Sequence, residues 1–250
     1  MREVCAALAV VLLVAPAGCL TAPTGPAPDY SDDAVVRTVT NGDQADVRAL
    51  YDSHRRALEN ASSYRIELSQ AKNGSVVRAT ELHLDQPLRR ATLNERYVRP
   101  DGASTETTYV NRSGRYVEYD DSGEETEYRA RTEPQYAFHS NYVWASEVQL
   151  PLPAVVASFD YEFSGHRDGA YVFESDSLES AEDASYVPWK REHVERVSAR
   201  LVVDDRGFVR AYSLRVRFQD SGTAASQSLE FRVTGVNETR VTPPDWLRST

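Results

Sequence analysis

The residues best able to support one specific covalent step stand near the N-terminus, where Pro16-Ala17-Gly18 leads into Cys19. Small side chains before a cysteine let a signal peptidase reach the backbone, and the thiol can then carry a thioether-linked lipid. Further on, Asp52-Ser53-His54 sets three triad residue types side by side. Adjacent residues of a helix point in different directions, so they form no proton relay. The chain has no Gly-x-Ser-x-Gly elbow, no His-Glu-x-x-His, no phosphate-binding glycine loop and no cysteine or histidine pair at metal-ligand spacing. Asp120-Asp121-Ser122-Gly123-Glu124-Glu125 and Asp204-Asp205-Arg206-Gly207 offer carboxylates to a hard cation, but neither follows the calcium-loop pattern. Both read as hairpin turns with a solvated acidic face. The expectation is a protein that is not an enzyme, with no catalytic residue, metal or cofactor.

Val4 to Ala17 is an unbroken run of Ala, Val, Leu and Pro plus Cys5. It is too short to span a bilayer and the right length for the apolar core of an export signal. With Cys19 behind it, the segment resembles a lipobox, although Pro16 stands where an aliphatic residue is usual. An ordinary secretory signal cut near Ala17 is the alternative. Cys5 and Cys19 are the only cysteines, so a mature chain lacking the signal forms no internal disulfide and depends on burial and hydrogen bonding. In an exported chain, Asn60, Asn73, Asn111 and Asn237 are glycan acceptor candidates, each in an Asn-x-Ser/Thr triplet.

Acidic residues outnumber basic ones 38 to 28, a formal net charge of −10, which makes nucleic acid an unsuitable partner. Only Lys72 and Lys190 among the basic residues are lysines. An acid-rich, lysine-poor surface resembles that of proteins from extreme halophiles, where it keeps a protein hydrated at high salt.

These residues need elements to hold them, and 250 residues, 41% of them hydrophobic, suffice for one sizeable core. The reading is a signal over residues 1–18, a lipidated cysteine and Pro/Thr/Gly-rich tether over 19–42, and one domain over 43–250. Val47, Leu50, Tyr51, His54 and Leu58 recur at helical spacing. His54 falls on or beside the apolar stripe, as a buried, hydrogen-bonded histidine rather than a ligand or base. From Ser63 the period becomes two: Tyr64, Ile66 and Leu68 alternate with polar residues before the Asn73-Gly74 turn. Strands are predicted at 76–84, 90–98, 105–111, 115–119 and 124–130. Pro151 and Pro153 break the pattern between Pro134 and Phe159, where one or two short helices are expected. Strands resume at 161–164 and 170–174, a polar loop spans Ser175 to about Glu192, and 197–203, 208–218 and 228–236 close the chain as a meander. The 14 tyrosines are mostly ordinary strand residues.

The fold class is therefore α+β and mostly antiparallel: a strongly curved, open half-barrel sheet wrapped around one long and one or two short helices. That order resembles the carrier fold of LolA-like and mycobacterial lipid-transport lipoproteins. The helix Val47 to Leu58 running into Ser63-Tyr64, the run Val202-Val203-Asp204-Asp205-Arg206-Gly207-Phe208-Val209 and the ending Pro243-Pro244-Asp245-Trp246-Leu247 look like an uncharacterised group of haloarchaeal lipoproteins. The resemblance implies a lipid anchor at Cys19, on the outer face of the cytoplasmic membrane. A curved sheet closed by helices leaves an apolar cavity for a lipid or other hydrophobic ligand, and the helical interruption is its natural gate, with Tyr142, Trp144, Val155 and Phe159 expected at the mouth. A structural or protein-interaction lipoprotein of the cell envelope is the competing expectation, its protein partners unspecified.

Overall fold

The computed structural model describes residues 40–41, 44–45, 47–138, 159–178, 191–220 and 223–248. All of them belong to the compact unit Ser31–Thr250; the unit Met1–Tyr30, which includes Cys19, lies outside the described residues. The strands are β1 (Thr40–Asn41), β2 (Gln44–Ala45), β3 (Ser63–Lys72), β4 (Ser75–Asp85), β5 (Arg90–Arg99), β6 (Gly102–Asn111) and β7 (Gly114–Asp121). They continue as β8 (Glu127–Arg131), β9 (Glu162–Arg167), β10 (Ala170–Ser175), β11 (Val194–Asp204), β12 (Val209–Asp220) and β13 (Thr223–Thr234). One α-helix, α1 (Val47–Asn60), is present among the described residues. β1 and β2 flank the boundary expected at Asp43. Between Pro134 and Phe159 the regular element described is a 3-10 turn at Pro134–Tyr136, and residues 139–158 lie outside the described residues.

The strands form one open antiparallel sheet in the order β1-β2-β9-β10-β11-β12-β13-β3-β4-β5-β6-β7-β8. Two meanders, β3 to β8 and β9 to β13, pair strands consecutive in sequence, through short turns everywhere except between β10 and β11, where residues 176–193 intervene. Asn73 and Gly74, with φ of 51° and 80°, make the two-residue turn whose twist matches that of β3 and β4. The meanders meet where β13 pairs with β3, from Gln227 opposite Lys72 to Thr234 opposite Arg65.

Alternation in the central strands buries one face. Tyr64 and Ile66 of β3, Phe231 of β13, Tyr212 and Val216 of β12 and Leu201 of β11 are almost fully buried, as are Leu50 and Leu58 of α1. Each such side chain stabilises the fold by roughly 1.5–3 kcal/mol relative to exposure. The Tyr161 and Tyr212 hydroxyls, 3.4 Å apart, partner each other inside this core.

The helix is fixed at two points. In its middle, His54 Nδ1 accepts a hydrogen bond from the Val209 backbone N–H at 3.1 Å, and its ring lies 6.2 Å from that of Phe231. The adjacent β11–β12 turn comes so close that a Cβ on Gly207, whose φ is +86°, would collide with the Ser53 hydroxyl. At its C-terminus, Gln86 donates through Nε2 to the carbonyls of Ala61 (2.7 Å), Glu59 (3.3 Å) and Leu58 (3.4 Å), satisfying oxygens that helix geometry leaves without intrahelical partners.

The C-terminal segment straps the opposite face of the outer strands. Arg90 donates to the carbonyl of buried Val241, and Trp246 lies 5.7 Å from Tyr128 of β8, ring to ring. On the same face, Tyr109 is buried, 6.3 Å from the Tyr116 ring. The two runs that look like family motifs thus have structural work: one docks the helix and the other holds the far strands.

Burial lowers the pKa of His54 from its ordinary 6.5 to about 4. Above pH 6.5 the imidazole is neutral in both folded and unfolded chains, and its contribution to stability is fully present. As pH falls towards 4, the unfolded chain takes up a proton that the folded one refuses. Stability should fall by about 3 kcal/mol over that window. Urea unfolding from pH 7.5 to 4 checks this: the part of the slope due to His54 should vanish in His54→Asn, whose amide oxygen can still accept from Val209.

Candidate functional site

The sheet face that carries α1 changes character beyond the helix. The contacts fixing α1 reach β12, β13 and the β11–β12 turn, while β4 to β7 extend the same face away from it. Strand registers arrange that extension in cross-strand rows. The row nearest the capped helix end holds Leu84, Ala91 and Val110, continuing to Arg115; the next holds Leu82, Leu93, Thr108 and Val117. The third is Thr80, Glu95, Glu106 and Tyr119, and the fourth Arg78, Tyr97, Ser104 and Asp121. An apolar half therefore adjoins a polar half on one surface.

The polar half is cross-linked. Arg78 Nη2 donates to Glu95 Oε1 at 2.8 Å, Tyr97 donates to the same oxygen at 3.0 Å, and the Arg78 guanidinium lies 5.1 Å from the Tyr97 ring centre. Glu106 accepts from Thr108 at 3.0 Å and from Arg115 at 3.2 Å. Glu95 and Glu106 stand directly opposite each other, a repulsive arrangement that the arginine on each offsets. The Arg78 and Glu95 side chains are only 19% and 15% exposed, so water screens this pair less than a surface pair. Thr80 beside them is buried, and its hydroxyl has no hydrogen-bond partner among the described residues. The apolar end is buried, with Leu82, Leu84, Ala91 and Val110 at most 4% exposed, so the face is an interior surface that sets apolar contact at one end against charged forks and hydroxyls at the other.

Of the residues proposed for a ligand mouth, Tyr142, Trp144 and Val155 lie outside the described residues. Phe159 is buried, bridges to Leu178 and stands 6.1 Å from the Tyr161 ring. The four Asn-x-Ser/Thr asparagines separate into two kinds. Asn60 is exposed at the end of α1. The other three serve turns through Oδ1: Asn73 accepts from Ser226 N–H, Asn111 from Ser113 and Gly114 N–H, and Asn237 from Ser62 N–H. The Asp204-Asp205-Arg206-Gly207 run is a hairpin turn in which Asp204 holds the Arg206 side chain at 2.7 Å. Among the described residues no three His, Cys, Asp or Glu side chains converge as a metal site, and no helix is long and apolar enough to cross a membrane.

A family model matches residues 4–250. The chain belongs to DUF7537, a family of unknown function. No curated protein matches it. Among solved structures, this DUF7537 member is similar to the Mycobacterium tuberculosis lipoprotein LppX, with 11% identity over 78% of this chain and 97% of that one, at a TM-score of 0.38. It is also similar to MucB, solved in complex with MucA(peri), with 14% identity over 81% of this chain and 58% of MucB, at a TM-score of 0.28.

Sequence reasoning found the strands that carry Arg78, Glu95, Tyr97, Glu106 and Arg115 but not the lattice they make. Its signal was present in β5, where Leu93, Glu95 and Tyr97 continue the alternation of Ala91 with charge in the series. Glu95→Leu alone should cost about 2 kcal/mol by removing the carboxylate that Arg78 and Tyr97 share. The double variant Arg78→Met/Glu95→Leu should unfold within about 1 kcal/mol of the native chain in urea.

Proposed function

We propose that this DUF7537 chain is an exported binding protein whose domain takes a lipid or other hydrophobic ligand on the helix-side face of β4 to β7. The observation that carries the reading is the two-part surface, in which Leu82, Leu84 and Leu93 give way to the Arg78–Glu95 and Arg115–Glu106 pairs. The orphan Thr80 hydroxyl supplies one more group for a ligand's polar end. A sheet strongly curved about α1 would close this surface into a half-barrel cavity, with Tyr142, Trp144, Val155 and Phe159 at its mouth.

Native mass spectrometry with organic extraction, on the full chain purified from a high-salt host, tests the reading. A lipid or isoprenoid should copurify at near one-to-one stoichiometry and be lost in Leu93→Glu. A clean apo mass that takes up no added lipid would overturn it. The open edge gives the protein-interaction reading its own support: β8 is the last strand of the sheet among the described residues and all five of its residues are exposed, the form of edge to which a partner strand can add.

In the same proposal, Cys19 carries the lipid that holds the domain on the outer face of the cytoplasmic membrane. The acid-rich, lysine-poor composition suits a haloarchaeal exterior, and glycans on Asn60, Asn73, Asn111 or Asn237 belong to it too. Cys19→Ser should shift the protein from the membrane fraction to the medium, read by fractionation and immunoblotting. Unchanged membrane retention would remove the anchor.

A further inference from the structure

The sheet face opposite α1 carries several hollows, and they differ in charge. One of about 490 Å³ over β3 to β6 includes Glu67, Glu81 and Glu230 beside its arginines. Another of about 790 Å³ over β9 to β12 includes Asp160, Glu162, Glu174 and Asp176. A third, of about 460 Å³ over β11, β12, β13 and the end of β3, is lined by Arg196, Arg215 and Arg217 together with Ser198, Ser226 and Ser228, and among the described residues no carboxylate lines it. That is the reverse of the chain as a whole, with its 38 acids to 28 bases.

Register explains the hollow. Ser198 stands opposite Arg215, Arg215 opposite Ser228, Arg217 opposite Ser226, and Ser228 opposite Ala71. Arg215 and Arg217 are thus each flanked across a strand by a serine, which leaves space between the long side chains. Arg196 and Arg217 face each other directly, and like charges so placed destabilise a sheet. Among the described residues the nearby acids are Glu195, which accepts from Gln219, Glu230, 3.9 Å from an Arg215 side chain that is 76% exposed, and the carboxylates of the β9–β12 hollow, which shares Ser198 and Arg215 with this one. An anion between the guanidinium groups would turn that repulsion into attraction. Arginine forks and serine hydroxyls are donors matched to the oxygens of a tetrahedral oxyanion.

We propose that this hollow binds a phosphate-type oxyanion, with Arg196 and Arg217 as its principal ligands and the serines as secondary donors. The site lies on the face away from α1 and is independent of the hydrophobic-ligand reading. Phosphate has two sources, a free ion and a lipid headgroup, and the test separates them.

Thermal unfolding of the full chain is followed with inorganic phosphate at constant ionic strength, sodium chloride making up the balance. Cosedimentation with phosphatidylglycerol vesicles, against phosphatidylcholine, forms the second arm. The native chain should gain several degrees in Tm with phosphate, bind phosphatidylglycerol preferentially, or both. A response to phosphate alone assigns the free ion, and vesicle binding alone assigns the headgroup. Arg196→Gln/Arg217→Gln should lose at least tenfold in either affinity and, relieved of repulsion, match or exceed the native Tm without phosphate. Arg129→Gln, on the other face and at the far edge, should behave as the native chain does. No response in either arm, or a double variant within twofold of the native chain, would overturn the site.

Discussion

The whole architecture hangs on the pairing of β3 with β13. Every long strand other than these two finds its neighbours within its own meander, across short turns except between β10 and β11. Apart from the single β2–β9 pair, the β3–β13 ladder is what joins chain segments far apart in sequence among the described residues, and it lies beneath the helix. Without it there are two separate meanders, neither with a covered apolar face. With it, Tyr64, Ile66 and Leu68 continue the surface made by Phe231, Val233, Tyr212 and Leu214, and one amphipathic helix covers the junction.

Helix and sheet then secure each other through polar groups as well as apolar ones. A neutral imidazole receives a backbone proton in the middle of α1, and an amide side chain from the β4–β5 loop serves the last carbonyls. Asn237 adds a bond from the end of β13 to the start of β3, at the same rim. Such contacts carry a modest net gain each, but leaving any one unmade inside the core would be costly. The anchoring of the helix leaves the β4–β7 face to other uses, and there the polar residues pair in a lattice instead of yielding to a continuous apolar core.

Much of this was legible in the sequence. The period of α1, the alternation in Tyr64-Arg65-Ile66-Glu67-Leu68, and the Asn73-Gly74 turn each report a local preference, and the elements formed where those preferences lie. His54 was legible as a core histidine because its spacing put it beside Leu50 and Leu58. The lattice and the arginine hollow were not, since both depend on register between strands that composition cannot supply. Arg196 and Arg217 are 21 residues apart in sequence and direct neighbours only in the ladder. The asparagines show the converse: their triplets look alike in sequence, yet Asn111 Oδ1 serves its own turn while those of Asn73 and Asn237 tie their turns to Ser226 and Ser62 far along the chain.

The C-terminal strap gives the fold an arrow in time. A chain that emerges N-terminus first, from a ribosome or through a translocation channel, offers β3 long before β13 exists to meet it, and Trp246 follows β13 before it can reach Tyr128. Until β13 arrives, the β3 edge stays unpaired at the centre of the sheet. The two halves of the domain thus stay apart while the first is already complete. A chain stalled before Thr223 would present the surveillance machinery with an unfinished sheet.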